Sequence, residues 1–397
     1  MSISKINQEA LNFFNRVGFP SHNDEHWKHT NLNHFHTQKF SKSNNHLISK
    51  KYDSNFLNYD QIVTINGKPI INNNSSLIID SISNAIKDNP KIICSFDITN
   101  QDYNNPFLIL NTIHFSDGIY IKVPKNTCLN EPVYLLSVSD DPDNFSSSYP
   151  RLYIDVEQNS EIKIIQHHIG NNQQIYYRNN VSYINAQENS RVFFANIYEE
   201  SEKSFSMNNL ILNQSTDSHV NTVNFFLKTG FFRSDIKGNL NGKGSSTSID
   251  GLFLGNKKQF IDNNIIINHN KEKTNSRVMY KGILKDSASA VFNGLVNVPF
   301  KSKYINSDQK NHNIILSNSA KINSNPKLKI SCDEVKCSHG STTGNLDKEA
   351  LFYLQSRGIK LKQAKKILLN SFMDEIIQKA SFLDIKNYLD MKISELV

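Results

Sequence analysis

The sequence predicts a mainly β protein with a parallel β-helix core, a solenoid of stacked coils, flanked by helical segments at both ends. Short runs rich in Ile, Val, Phe and Tyr, separated by Asn, Asp, Ser and Gly, dominate the chain from about residue 60 to residue 345. The segment YIDVEQNSEIKI (153–164) returns as YINAQENSRVFF (183–194). We find no long helical pattern between about residue 90 and Asp347.

The internal repeat carries the solenoid prediction. Strand and turn units that recur every ~20–30 residues indicate a solenoid, because each unit has one apolar face that only its stacked neighbours can cover. Looser copies occur at GILKDSASAVF (282–292) and IILSNSAKINS (314–324). An antiparallel β-sandwich is the alternative, since its strands show the same alternation. The solenoid predicts that segments 153–164 and 183–194 take equivalent places in adjacent coils.

The predicted organisation has four parts: an N-terminal helical segment and linker (1–60), a mixed connecting segment (61–90), the β-helix core (91–345) and a C-terminal helical domain (346–397). In the first part, Ile6, Ala10, Phe13, Phe14 and Val17 have helical spacing. Gly18 is placed to end this helix, and Pro20 prevents its continuation.

Two segments follow the first helix. SHNDEHWKHTNLNHFH (21–36) is rich in His, but irregular spacing and neighbouring carboxylates favour a packed surface segment around Trp27 over a metal cage. TQKFSKSNNHLISKKYDSN (37–55) contains few apolar residues and is predicted to be a solvated linker.

Three helices are predicted at the C-terminus. The first runs through KEALFYLQSR after an Asp347 cap and ends at Gly358. The second spans 361–379, and the apolar residues predicted to share one of its faces are Leu361, Ala364, Leu368, Phe372 and Ile376. The third carries a stripe of Ile385, Leu389, Ile393 and Leu396. So small a bundle buries little core unaided, so we expect part of this apolar surface to contact a partner.

Composition and charge exclude several classes of protein. The net charge of +7 arises from 44 basic and 37 acidic residues spread along the chain, which does not indicate a nucleic-acid partner. No apolar run is long enough for a membrane span, and the first twenty residues lack a secretory signal. With only four cysteines, we expect free thiols and a cytoplasmic protein.

Familiar catalytic motifs are absent. GNLNGKGSST (238–247) lacks the spacing of a phosphate-binding loop and is predicted to be a turn. His167 and His168 follow one another on a strand, so one is expected to face inward and the other outward. No G-x-S-x-G or H-E-x-x-H sequence occurs.

The segment KLKISCDEVKCSH (327–339) holds the candidate functional residues. If it is one strand, Cys337 and His339 share a face and Cys332 faces the other way, so the two cysteines do not chelate one ion. Thiolate and imidazole suit iron or zinc, but two ligands leave a tetrahedral site half empty. A metal site completed by another chain and a buried Cys beside a hydrogen-bonded His both remain open.

The same region resembles a known family. PKLKISCDEVKCSHGSTTGNLDKEALFYLQSRGI (326–359) resembles the signature of the SufB/SufD family of iron-sulfur cluster assembly scaffolds. FPSHNDEHWKHTNL (19–32), residues 107–136 and SRVMYKGIL (276–284) are similar to other family segments. Cys-Ser-His-Gly at 337–340 favours the SufD branch over SufB, although Ser341 stands where Ala is common.

The resemblance implies a right-handed parallel β-helix and a non-enzymatic scaffold. It implies pairing with SufB through the β-helices and binding of the ATPase SufC by the C-terminal helices. His339 would act with a SufB cysteine as a transient iron ligand at the interface, with Cys337 carrying less weight. No cofactor is expected on the chain alone, and the iron-sulfur cluster would be transient. Binding of a reduced flavin to the complex, and a homodimer without SufB, are left open.

Two other functions are alternatives to this one. A SufB-type paralogue acting as a homodimer would itself accept a cluster. A carbohydrate-active β-helix enzyme needs clustered carboxylates on one face, and the sequence offers no such cluster.

Overall fold

The computed structural model describes residues 3–21, 24–43, 61–70, 77–90, 92, 105–141, 143–380 and 383–396. The helices are α1 (Ile3–Val17), α2 (Asn33–Thr37), α3 (Ile82–Asp88), α4 (Pro106–His114), α5 (Lys348–Ser356), α6 (Leu361–Ile377) and α7 (Leu383–Leu396), with a 3-10 turn at Glu25–Trp27. The strands before the repeating coils are β1 (Ser41–Lys42), β2 (Gln61–Ile65), β3 (Lys68–Ile70), β4 (Ile78–Ser81), β5 (Ile119–Val123), β6 (Val133–Ser139) and β7 (Ser146–Ser148).

The repeating coils are built from the remaining strands: β8 (Arg151–Val156), β9 (Glu161–Gly170), β10 (Tyr176–Ala186), β11 (Arg191–Glu199), β12 (Phe205–Gln214), β13 (His219–Lys228), β14 (Phe231–Leu240), β15 (Ser246–Gly255), β16 (Phe260–His269), β17 (Asn275–Leu284), β18 (Ser289–Val298), β19 (Ile305–Ile315), β20 (Lys321–Ile330) and β21 (Val335–Gly344).

These strands form two sheets that face each other. From β8 onward the even-numbered strands lie side by side in sheet A and the odd-numbered strands in sheet B. Each coil therefore contributes one strand to each sheet, and neighbours within a sheet are parallel. This arrangement confirms the parallel solenoid and excludes the antiparallel sandwich. The antiparallel pairs among the described residues, β2 with β3 and β4 with β5, lie at the N-terminal end of the sheets.

The register confirms the repeat. Tyr153 is the direct partner of Tyr183, so segments 153–164 and 183–194 occupy equivalent places in adjacent coils. Their shared Asn-Ser turn has a conformational cause, because Asn159 and Asn189 have φ of 60° and 54°, a region that Asn tolerates better than most residues. The Asn189 side chain donates to Asn159 Oδ1 at 2.9 Å, which links the two turns.

The main core lies between the two sheets. Alternate residues of each strand point inward and stack on the same position in the next coil, as Ile154 and Ile184 do in sheet A. The outer faces are covered by helices. Residues of α1, α3 and α4 pack on sheet A, whereas α6 and α7 pack on sheet B. Since both faces of each sheet are buried over the middle coils, their strands lack a simple inside-outside alternation.

Helix α4 differs from expectation, because residues 106–114 were included in a β-helix core without long helices. Its run of Phe, Leu and Ile is apolar on every side and cannot be told from a buried strand by periodicity. The Asn105 side chain accepts hydrogen bonds from the backbone N–H groups of Phe107 and Leu108 at 3.1 and 3.2 Å, and Pro106 occupies the first turn. The cap and the proline favour a helix over a strand in this segment.

The N-terminal prediction is accurate over its helix and wrong at the start of the linker. Helix α1 buries Ile6 and Ala10, and Gly18 ends it with a φ of 68°, although Val17 is exposed. The predicted linker begins too early, because Phe40 packs on the aromatic rings of Tyr177 and Phe205, and β1 pairs with β7. Residues 44–60 lie outside the described residues.

The C-terminal helices bury most of their apolar stripes within the chain itself. The Asp347 side chain caps α5 by accepting from Glu349 N at 2.9 Å and Ala350 N at 3.2 Å. In α6, Ala364 and Ile376 are buried as predicted, and Leu361 is exposed. Leu369 and Met373, which were not predicted, are buried beside them. Ile385 and Leu389 of α7 are buried as predicted, whereas the side chains of Ile393 and Leu396 lie outside the described set. Among the described helices, none has the length and apolarity to cross a membrane.

Candidate functional site

The last coil leaves both sheets open. Strand β20 pairs only with β18, and β21 pairs only with β19, so within the described chain their other edges have no partner. Each is ten residues long and mostly exposed or half-buried, unlike the strands of the preceding coils. A parallel edge of this length presents a row of free backbone N–H and C=O groups, which is a template for pairing with another chain.

The segment 327–339, which holds Cys332, Cys337 and His339, consists of a strand, a turn and a second strand. The assumption that it forms one continuous strand is therefore wrong. Strand β20 ends at Ile330 and β21 begins at Val335. Cys332 lies in the turn between them and, like Cys337, packs against the core between the sheets. The expectation that the two cysteines face opposite sides is therefore wrong, because the alternation does not continue through the turn. Cys128, Cys332 and Cys337 are all free thiols.

Cys337 and His339 occupy alternate positions of β21, so both belong to its inner face. Cys337 is half-buried beside Ser307, and burial raises the pKa of its thiol, with a backbone hydrogen bond from Ser307 opposing the shift. The thiol is thus mostly protonated at neutral pH, and it would have to lose this proton to bind a metal. His339 is exposed, and its imidazole has no hydrogen-bond partner among the residues that the structure describes.

The described part of this chain does not build a metal cage around His339. The described residues contain no group of three or more His, Cys, Asp and Glu side chains that could hold a metal ion. Cys337 and His339 can supply two ligands at an open strand edge, where a second chain could add the rest.

Beneath the open end, the interior becomes polar. Ser324 Oγ donates to Asn311 Oδ1 at 2.8 Å, and Ser341 Oγ donates to Ser324 Oγ at 2.8 Å. Asn311 Nδ2 in turn donates to the backbone carbonyl of Tyr280 at 3.2 Å. Sequence reasoning missed these residues. Their signal is INSDQKNHNII (305–315), in which Ser307, Gln309, Asn311 and Asn313 are buried at inward positions where earlier strands carry mostly apolar side chains.

The adjacent histidines are divided between the two faces as predicted. His168 lies inside the solenoid, where its ring stacks on Tyr198 at 4.8 Å, and burial holds its pKa well below the usual range. His167 lies on the outer face, bonded to Tyr134 Oη at 2.8 Å and Glu199 Oε2 at 3.0 Å. It is nevertheless buried, because α7 covers this face and Tyr388 donates to the same carboxylate.

The His-rich segment is anchored by its tryptophan. Trp27 is buried, and the guanidinium carbon of Arg233 lies 3.7 Å from the centre of its ring. Arg233 also donates two hydrogen bonds of 2.9 Å to Asp235 and pairs with Asp262, which in turn accepts from Thr30. The packed surface segment that the sequence predicted around Trp27 is therefore present. The segment 238–247 comprises the end of β14, a turn at 241–245 and the start of β15, so the turn predicted there is present.

An apolar surface remains on α5, which has no buried residue. Phe352 is 74% exposed and Tyr353 is 57% exposed, while Leu361 and Ile367 at the start of α6 are also exposed. Large exposed aromatic side chains that lie close together indicate a contact surface.

Two family descriptions from the same iron-sulfur cluster assembly system match residues 2–135 and 137–372. The family described as "SUF system FeS cluster assembly, SufBD core domain" matches residues 137–372. The family described as "SufBD protein N-terminal region" matches residues 2–135.

Individual relatives agree with this match. The chain is 28% identical to an iron-sulfur cluster assembly SufBD family protein of Synechocystis sp. (strain ATCC 27184 / PCC 6803 / Kazusa), covering 98% of this chain and 89% of the relative. It is 26% identical to the iron-sulfur cluster assembly protein SufD of Escherichia coli (strain K12), with coverage of 94% and 88%. Protein ABCI7, chloroplastic, of Arabidopsis thaliana is 29% identical over 71% of this chain and 61% of its own length.

Proposed function

The chain belongs to the SufBD family of iron-sulfur cluster assembly proteins, and from this premise we propose that it is the SufD-type scaffold subunit of a Suf complex. It acts without catalysing a reaction of its own. It pairs with a SufB-type subunit, binds a SufC-type ATPase, and helps to hold a nascent cluster where the two scaffolds meet.

The open end of the solenoid carries this proposal. Two ten-residue strands, β20 and β21, have no outer partners within the described residues. They lie next to each other in sequence and hold the family motif. A second solenoid with similar open strands could continue both sheets through backbone hydrogen bonds, which is β-augmentation. His339 on β21 would then lie at the junction of the two chains.

The ATPase is assigned to the C-terminal helices, and the exposed face of α5 is the part available for it. Helices α6 and α7 use most of their apolar residues against sheet B. Phe352 and Tyr353 project from the chain with most of their surface exposed. Aromatic residues of this kind are the usual anchors of a protein interface.

The iron-sulfur cluster is cargo in this proposal. His339 supplies a neutral imidazole ligand to iron, and a SufB-type cysteine supplies the thiolate. Cys337 has a secondary role, because its thiol is half-buried and its pKa is raised. We place this function in the cytoplasm, whereas the name of one plant relative assigns that relative to the chloroplast.

The test uses the complete complex, reconstituted from this chain and its SufB-type and SufC-type partners. We expect His339→Ala to fold and assemble normally but to lose at least about ten-fold in bound cluster. His339 has no hydrogen bond in the described chain, so its loss should lower the melting temperature by less than about 2 °C. Cys337→Ala should have a milder effect on the cluster.

The matched control is His219→Ala, which removes an imidazole from β13 in the middle of sheet B. It should keep its cluster, even though it loses a 2.6 Å bond to Ser246. A His339→Ala protein that is clearly destabilised but retains normal cluster content would assign this histidine to folding. Full cluster formation by the purified chain alone would favour a self-pairing SufB-type scaffold.

A further inference from the structure

Gln309 is a buried amide directly beside the candidate ligand. It lies on β19 with 0% of its surface exposed, and the strand register makes it the partner of His339 on β21. Neither the nitrogen nor the oxygen of its amide has a hydrogen-bond partner in the part of the chain that the structure describes. The two residues occupy the same inner face on strands about 4.8 Å apart.

An unpaired buried amide needs an explanation. Leaving such a group without a partner costs about 1–3 kcal/mol, and most buried polar side chains are hydrogen-bonded. Local packing also restricts where this amide can lie. On the facing strand, a Cβ added at Gly294 would lie 2.4 Å from Nε2 of Gln309 and 2.6 Å from its Oε1. Only glycine at position 294 leaves room for the amide in this position.

His339 has the complementary need. A metal-bound imidazole almost always donates its second ring N–H to an oxygen, which fixes the tautomer and the orientation of the ring. Among the described residues, no oxygen accepts a hydrogen bond from the His339 ring. The neighbouring side chain that has an unpaired buried oxygen is Gln309.

We propose that Gln309 is the positioning residue for His339. Its Oε1 accepts the N–H of one ring nitrogen, which leaves the other nitrogen directed toward the open end for iron. The inference rests on the proposed function, since it assigns a support to the ligand of that same site. Gln309 itself does not touch the cluster.

Asn263 is a matched control within the same molecule. It is also completely buried, and both polar atoms of its amide lack partners among the described residues. It lies on β16 in sheet A, with β18 and β20 between it and the open edge. An unpaired amide that serves only packing or buried water should behave alike at both positions.

The experiment compares Gln309→Met and Asn263→Leu in the reconstituted complex. Both replace an unpaired amide with an apolar side chain of similar size, so both should keep or raise the melting temperature. Cluster content should fall at least about five-fold in Gln309→Met and should be unchanged in Asn263→Leu. Gln309→Glu retains an oxygen acceptor and should keep most of the cluster.

A spectroscopic measurement reports the ligand itself. With histidine labelled by ¹⁵N only in this subunit, pulsed electron paramagnetic resonance of the reduced cluster should show a nitrogen coupling that weakens or shifts in Gln309→Met. An unchanged coupling with normal cluster content in Gln309→Met overturns the inference, as does equal loss in Asn263→Leu. If His339→Ala also keeps its cluster, the proposed function fails with it; if His339→Ala alone loses the cluster, only the role of Gln309 is rejected.

Discussion

At the scale of single residues, asparagine side chains link successive coils in a way that the sequence does not reveal. Asn213, Asn239, Asn268 and Asn297 stack on successive coils of sheet A and donate amide to amide at 3.0, 2.9 and 3.3 Å. Such ladders need identical side chains at the same place in each coil. Their register could not be predicted, because the coils differ in length and no local pattern marks which asparagines meet.

Buried ionisable groups are the other feature that the sequence hides. Inside the solenoid, Arg178 pairs with Glu200 and donates to Asn208 at 3.1 Å, while Tyr176 donates to Glu200 at 2.5 Å. These side chains come from three successive coil segments. Alternation along β10 predicts that Arg178 faces inward. It does not predict that Glu200, from the turn after β11, lies there to pair with it.

His269 gives a prediction for the pH dependence of stability. It is buried between Thr274 and Ser276, and burial lowers its pKa from 6.5 to about 4. As the pH falls from 6.5 to 4, the unfolded chain binds this proton and the folded chain does not, so the fold loses up to about 3 kcal/mol. In His269→Gln, which cannot titrate, the free energy of unfolding should fall less over this range.

Urea unfolding at pH 7.5 and pH 4.5 measures this difference directly. The buried His168 also has a lowered pKa, so some acid sensitivity should persist in the variant. Equal losses of stability in the wild type and in His269→Gln would show that the pKa of His269 is the same in the folded and unfolded protein.

At the scale of secondary structure elements, helices were predicted well where a cap and an amphipathic stripe coincide. Asp347 and Gly358 bracket α5, and both positions have the expected geometry. The stripe predicted for α6 is only part of its buried face, because LKQAKKILLNSFMDEII has apolar residues on two adjoining faces. Only sheet B decides between them, since Leu369 and Met373 meet its outer surface.

Polar contacts hold α6 on that sheet. Lys281 Nζ on β17 lies 2.8 Å from Glu375 Oε2 and donates to the carbonyl of Phe372 at 2.8 Å. Glu375 also pairs with Arg277 at 3.1 Å, and the hydrogen bond from Lys281 lowers the pKa of Glu375. Helix α6 is thus fixed to a strand that lies two positions from the open edge. The C-terminal helices cannot be treated as a separate, freely removable domain.

The prediction for these helices is therefore a surface substitution. In each of the single variants Phe352→Ser and Tyr353→Ser, affinity for the SufC-type ATPase should fall at least about ten-fold, because each variant removes one exposed anchor. The melting temperature should stay within about 2 °C, since neither side chain is buried. Isothermal titration with the purified ATPase measures the affinity.

Phe300 supplies the control for this prediction. It is 77% exposed and lies after β18, away from α5 in the sequence. Phe300→Ser should bind the ATPase as the wild type does. Normal binding by both α5 variants would remove this helix from the interface.

At the scale of the whole molecule, the two ends of the solenoid differ. The N-terminal end closes with short antiparallel strands, β3 of three residues and β4 of four. Very short edge strands are one way in which proteins prevent further pairing. The C-terminal end has the ten-residue strands β20 and β21. The solenoid class followed from the internal repeat, whereas this asymmetry required the sheet order, because a strand's sequence does not say whether its second neighbour is absent.

This asymmetry predicts where hydrogen exchange will change in the complex. Amides of β20 and β21 that point away from β18 and β19 have no strand acceptors among the residues that the structure describes, so they should exchange rapidly in the isolated chain. On addition of the SufB-type partner they should become protected, because pairing gives them backbone acceptors. Strands β13 and β15 are paired on both sides in sheet B and should exchange slowly in both states.

Exchange followed by mass spectrometry, with peptides covering 321–344 and 219–255, resolves the two regions. At high concentration of the chain alone, protection of the same terminal strands would identify a homodimer that uses this end. Protection confined to the helices on the outer faces would place the interface elsewhere and contradict the open-end assignment.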